Sequence, residues 1–120
     1  MIGAVETSVL IVDDHAHFRR SARRLLEGSG YTVVGEAEDG ESGIAKAYEL
    51  NPKVVLLDVY LPDTDGFEVA EKLTSRGAAV VVLTSSRDGR DFGALIERSG
   101  ARGFIPKAEL SGATLGALLD

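Results

Sequence analysis

No cysteine occurs anywhere in the 120 residues. Disulfides, thiolate metal centres and cysteine nucleophiles are excluded with it. Long apolar runs are missing too. None approaches the ~20 residues that a membrane helix needs, so no membrane role is expected. The N-terminus has no basic region ahead of its apolar run, and an acid arrives at Glu6. No secretory leader is read there, and a cytoplasmic location is expected. Positive charge is also short. Thirteen Lys and Arg stand against 19 Asp and Glu, for a formal net charge of -6. That balance argues against nonspecific contact with nucleic acid. Repeats, low-complexity tracts and linkers are absent, so residues 1–120 are read as one domain long enough to bury a core.

What is present is a strict alternation. Five short runs rich in Val, Ile and Leu punctuate the chain: Ser8–Val12, Tyr31–Gly35, Lys53–Leu57, Ala79–Leu83 and Arg102–Ile105. Each has strand length, and the runs VVLL and VVVL show no polar alternation. Continuous apolar runs belong to strands covered on both faces, as in a parallel sheet. Between them, apolar residues recur at helical spacing. Phe18, Ala22, Leu25 and Leu26 share one face of the first such segment, with Arg19, Arg20, Arg23 and Arg24 mostly outside it. Glu41–Leu50, Phe67–Thr74 and Asp88–Ser99 behave alike. SGATLGALL reads as a weak helix capped by Ser111, because Gly112 and Gly116 lower helix stability. Gly28 and Gly30, Asn51-Pro52, Gly77 and Gly100 supply the stops. Alternating βα units imply a parallel sheet with helices on both faces and right-handed crossovers. The expected fold is α/β: a single flavodoxin-like doubly wound (βα)5 domain with a five-stranded sheet of order 2-1-3-4-5.

Ligands of such sheets bind beyond the carboxyl ends of the strands, near the point where strand order reverses. Strand one ends in Asp13-Asp14, strand three in Asp58 and strand four in Thr84-Ser85-Ser86. Strand five runs through Phe104, Ile105 and Pro106 to Lys107. Strand two ends in Glu36, at the sheet edge and away from the crevice. Successive strand residues point to opposite faces, so Asp13 and Asp14 serve one site only where strand turns into loop. Taken alone, that pair is an ordinary solvated loop or helix cap, Thr84 an ordinary strand end and Lys107 an ordinary surface lysine. Together they bring three carboxylates, a hydroxyl cluster and one ammonium to one crevice. Facing carboxylates raise one another's pKa unless a cation neutralises them. An all-oxygen set suits a hard divalent ion, most naturally Mg²⁺, which leaves room for a phosphoryl group. Lys107 and Thr84 would meet the phosphoryl oxygens. Asp58, alone at the end of the central strand, is the natural nucleophile for an aspartyl phosphate.

The segments VLIVDDHAHFRR, VVLLDVYLPDTDGFEV, VVVLTSS and GARGFIPK resemble, in order and spacing, the four signature segments of response-regulator receiver domains. DDH, VVGEAEDG and GARGF are similar to the branch that often precedes a helix-turn-helix output domain. The resemblance implies a phosphoprotein of two-component phosphorelay signal transduction, not an enzyme acting on a separate substrate. Its phosphoryl donor would be a sensor histidine kinase or a histidine phosphotransfer domain. By the same resemblance Asp58 is the phosphoacceptor, and Asp13, Asp14 and the backbone carbonyl of Tyr60 join it around Mg²⁺. Lys107 would hold a phosphoryl oxygen, and Thr84 and Phe104 would form the switch pair. Switching would repack the face of helix four, strand five and helix five. That surface would address a partner, an output domain or a second receiver in a homodimer, with no direct nucleic-acid contact by this domain. Phe104 lacks a tyrosine's hydroxyl, so no hydrogen bond would hold its outward rotamer.

Other motifs take plainer readings. His15 and His17 are two apart and do not face one another on a helix, and zinc wants three or four ligands. The arginines of Arg19–Arg24 form a solvated helix face or, by the resemblance, part of a kinase-docking surface. DTDG fails the calcium-loop register, which would need ligands at Leu61 and Lys72, so Asp65 is read as the cap of helix three. Gly28-Ser29-Gly30 follows a helix and has Val33 at the third glycine position, so it is no dinucleotide loop. A haloacid-dehalogenase-like phosphatase needs a second Asp two positions after the nucleophile, where Tyr60 stands. An unphosphorylated module of the same fold would have lost at least one of Asp58, Lys107 and the acidic pair. Many receivers place a cis-proline after the strand-five lysine. Here Ala108 follows Lys107, and no cis bond is expected. The sequence is read as a stand-alone receiver or a fragment of a longer regulator, with no output domain in this chain.

Overall fold

The structure is a computed structural model and describes residues 7–86 and 92–120. Strands β1 (Ser8–Val12), β2 (Thr32–Ala37), β3 (Val54–Asp58), β4 (Val80–Ser85) and β5 (Gly103–Pro106) alternate with five helices. These are α1 (Ala16–Gly28), α2 (Gly40–Leu50), α3 (Gly66–Ser75), α4 (Gly93–Ser99) and α5 (Gly112–Leu119). All neighbouring strands pair in parallel, in the order β2-β1-β3-β4-β5. The expected α/β architecture is the observed one.

The apolar runs form strands because they are buried on both sides. Every residue of β3 is buried. Leu10 and Val12 of β1, with Val55 and Leu57 of β3, pack against α2 and α3 through Ala47, Val69, Ala70 and Leu73. Val9, Ile11, Val54 and Leu56 face the other way, onto Ala22 and Leu26 of α1 and Leu115 of α5. Strand alternation thus builds two half-cores on one sheet. Three helices begin where a side chain caps them. Asp39, Asp65 and Ser111 accept from the backbone N–H groups of Ser42, Glu68 and Thr114. α2 ends on Asn51 at φ 51° and α4 on Gly100 at φ 81°, the left-handed stops that Asn and Gly tolerate.

Several boundaries moved. β3 and β4 run on to Asp58 and Ser85, so Asp58 and Thr84 are strand residues in register with one another. β2 begins and ends later than its apolar run and includes Glu36. Its pairing with β1 shifts register between Val9 and Leu10, so that Val9 pairs with Val33 but Leu10 pairs with Gly35. The extra residue, Val34, reverses the faces beyond it: Val33 joins the α1 half-core and Ala37 the opposite one. Of the expected helix Asp88–Ser99, residues 88–91 lie outside the described residues. A short 3-10 turn, Lys107–Glu109, links β5 to α5. Among the described residues no peptide bond is cis, and no helix is long and apolar enough to cross a membrane.

Candidate functional site

The parallel sheet aims the carboxyl ends of β1, β3, β4 and β5 at one edge, and there the predicted residues meet. Asp13 is the first residue after β1, its backbone N–H donating to the Ala37 carbonyl at 3.0 Å. Asp58 closes β3, while the next amide, Val59 N–H, donates to the Thr84 carbonyl at 2.9 Å. Asp13 and Asp58 are almost fully buried, at 0% and 2% exposure, whereas Asp14 is exposed. One donor atom from each of Asp13, Asp14, His15 and Asp58 lies within 4.8 Å of the others.

Lys107 stands between the two buried acids. Its Nζ is 2.7 Å from Asp13 Oδ2, an ion pair, and donates a hydrogen bond to Asp58 Oδ2 at 3.3 Å. The same ammonium lies 4.5 Å from the centre of the Phe18 ring, a cation–π contact that sequence reading did not anticipate. Tyr60 N–H donates to Asp58 Oδ1 at 3.3 Å. Burial, and then the neighbouring Asp13 carboxylate, push the Asp58 carboxyl up to about 6. Lys107 and the Tyr60 N–H pull the other way without cancelling them. One ammonium does not balance this site.

Thr84 provides the clearest sign of something to be held. Its hydroxyl is buried, beside Asp58 in the strand register, and has no hydrogen-bond partner among the described residues. Buried hydroxyls rarely remain unsatisfied unless a ligand or function explains them. Phe104 pairs with Leu83, one position away from Thr84, and its half-buried ring packs 5.8 Å from that of Phe92. Phe92 also meets Tyr60 and Phe67, at 6.1 and 5.5 Å between ring centres.

Two residues escaped the sequence reading. In the sequence His15 reads only as half of a zinc pair with His17. Its Nδ1 instead lies 3.1 Å from both Asp13 Oδ1 and Asp14 Oδ1, and its backbone N–H donates to Asp13 Oδ1 at 2.9 Å. Its adjacency to the acidic pair was the available signal. Asp63 stands out in the sequence only as part of DTDG. Its carboxylate accepts from Gly40 N–H and Glu41 N–H at 2.8 and 3.0 Å, joining the β3–α3 loop to the start of α2. Those two amides hold the Asp63 carboxyl below the usual carboxylate range. Asp65 caps α3, as expected.

The family model for the response regulator receiver domain matches residues 9–117. BvgA of Bordetella pertussis, named as a positive transcription regulator of virulence factors, is 41% identical over 103 residues. That match covers 84% of this chain and 49% of BvgA. A protein-glutamate methylesterase/protein-glutamine glutaminase of Anaeromyxobacter dehalogenans is 44% identical over 107 residues, covering 87% of this chain and 30% of that protein. The chain therefore spans half or less of the length of these curated relatives. The signal receiver domain of the Mycobacterium tuberculosis response regulator named NarL superposes with a TM-score of 0.84 at 32% identity. The match covers 95% of this chain and 97% of that one. With fold, strand-end chemistry and sequence all in agreement, the chain belongs to the response regulator receiver domain family of two-component signalling.

Proposed function

We propose that this domain accepts a phosphoryl group on Asp58, from a sensor histidine kinase or a histidine phosphotransfer domain, and passes the signal through the α4–β5–α5 face. The buried Thr84 hydroxyl, without a partner among the described residues and at the register position of Asp58, carries this reading. Three carboxylates beside one lysine form a donor set that fits a hard divalent cation. Asp13, Asp14, Asp58 and the Tyr60 carbonyl would hold Mg²⁺. Bound there, Mg²⁺ would neutralise carboxylate charge and polarise phosphoryl oxygens.

The chain's own residues do the rest. An Asp58 carboxylate oxygen attacks phosphorus in line, and the P–N bond of the donor phosphohistidine breaks, its electron pair returning to the imidazole. Lys107 Nζ, already at Asp58, stabilises the charge that gathers on the equatorial oxygens. The Thr84 hydroxyl gains its missing acceptor in a phosphoryl oxygen. Phe104 then repacks behind it, altering the face that a partner, an output domain or a second receiver would read. A cytoplasmic setting without direct nucleic-acid contact suits that role.

A phosphatase reading is weaker, because Tyr60 stands where a haloacid-dehalogenase-like acid/base would be. A purely structural module would have no use for the buried Asp13–Lys107–Asp58 cluster. Fluorine NMR with fluoroberyllate, a mimic of the phosphoryl group, tests the reading. A bound resonance is expected only with Mg²⁺, and lost in Asp58→Asn. No bound species under any condition would leave the domain an interaction module.

A further inference from the structure

Beside the acidic pair runs a second network that nothing in the proposed phosphoryl chemistry uses. Arg19 and Arg23 are one turn apart on α1, and both reach Glu36 of β2. Arg19 Nε donates to Glu36 Oε1 at 3.1 Å and Arg23 Nε to Oε2 at 2.7 Å. Burial pushes the Glu36 carboxyl up, but these bonds and the two guanidinium charges together hold it below its usual range. The register shift at Val34 makes the arrangement possible. Without it, Glu36 would sit on the opposite face from Val33, toward α2.

The two arginines differ in what else they touch. Arg19 Nη1 donates to the Asp13 backbone carbonyl at 2.6 Å, whereas Arg23 Nη1 turns to Glu27 and the Val33 carbonyl. The Asp13 carbonyl belongs to the peptide that joins Asp13 to Asp14. Arg19 therefore grips the link between the two carboxylates, and Glu36 fixes the guanidinium that does so. The Asp13 N–H on the other side is tied to the Ala37 carbonyl. Both ends of Asp13 are thus referred to the edge strand β2. Asp14 has far less support, its carboxylate being exposed and in contact with His15.

We infer that Arg19 is a positioning residue for the acidic pair: clamped by Glu36, it holds the Asp13–Asp14 peptide so that both carboxylates face the ion. This rests on the reading of the site as a Mg²⁺ and phosphoryl site. Residues that orient metal ligands are worth about 10–100-fold in metal affinity. Arg23 is the internal control, because it shares Glu36 but not the Asp13 carbonyl.

The experiment is a Mg²⁺ titration of the protein followed by ¹H–¹⁵N NMR, with melting temperatures measured alongside. Arg19→Ala is expected to weaken Mg²⁺ roughly tenfold and Arg23→Ala by less than about twofold, at similar losses of melting temperature. Should Arg19→Ala not fold, Arg19→Lys carries the test. It keeps the charge but loses the planar fork whose Nε and Nη1 reach Glu36 and the Asp13 carbonyl from separate atoms, so several-fold weakening is expected. Unchanged affinity in the Arg19 variants, or an equal loss in Arg23→Ala, would overturn the inference. Wild-type protein with no Mg²⁺-dependent shift at Asp58 or Tyr60 would overturn the site reading itself, and the role of Arg19 with it.

Discussion

Asp58 ionises in a place that resists its charge, and the stability of the protein should report this. A carboxyl raised from 3.8 to about 6 binds its proton more tightly folded than unfolded. The cost is absent below about pH 4, grows as pH rises toward 6 and is complete above it, amounting to roughly 3 kcal/mol. Asp58→Asn should therefore be the more stable protein at about pH 8 in chelator, its advantage shrinking toward pH 4; urea unfolding across that range checks the sign. A constant difference would contradict it. Thr84 offers a complementary case. Its hydroxyl is buried with no partner among the described residues, so Thr84→Val should leave stability within about 1 kcal/mol, or raise it. The same change should weaken fluoroberyllate about tenfold, the loss of one hydrogen bond to a charged group. Equal effects on stability and binding would mean that Thr84 is only a core residue. Asp58, Thr84 and Lys107 were legible one by one, as the first polar residues after apolar runs. Lys107 resting on Phe18 was not, because the two are far apart in sequence and nothing local links them.

The loop after β3 shows how little slack the elements leave around the site. Tyr60 bridges to Asp65, and Gly66 N–H donates to the Val59 carbonyl at 2.7 Å. A Cβ at Gly66 would fall 2.4 Å from the Asp58 carbonyl oxygen and 2.9 Å from Val59 Cα, both backbone atoms that cannot simply swing away. Gly66→Ala should cost about 1–3 kcal/mol by urea unfolding, and move the amide resonances of Asp58 and Tyr60. A neutral result would show the loop to be looser than its geometry. At the helix ends, Asp65→Ala should cost about 1 kcal/mol. That cap was readable from Asp-Gly before an apolar run. The register shift in β2 was not readable, because Val33 and Val34 are equally apolar and either could face either half-core. Its consequence, Glu36 turned to Arg19 and Arg23, is what separates a solvated arginine cluster from a clamp on the acidic pair.

Across the whole molecule, the sheet order was legible because each unit alternates apolar run and amphipathic segment, and right-handed crossovers leave few arrangements. Two half-cores on one sheet make the carboxyl edge a fixed platform. A change there must be relayed by packing, and the rings of Tyr60, Phe92 and Phe104 already form a contact series toward β5. Fluoroberyllate should therefore shift backbone resonances of Phe92, α4 and Phe104, and leave the middle of α2 nearly unmoved; a uniform response would argue against a directed switch. Any such switch depends first on phosphoryl transfer to Asp58. Intact mass spectrometry after rapid quench, with Mg²⁺ and acetyl phosphate, tests it most directly on wild type and Asp58→Asn. One added phosphoryl mass in the wild type alone is the predicted result. An adduct on both proteins, or on neither, would contradict it.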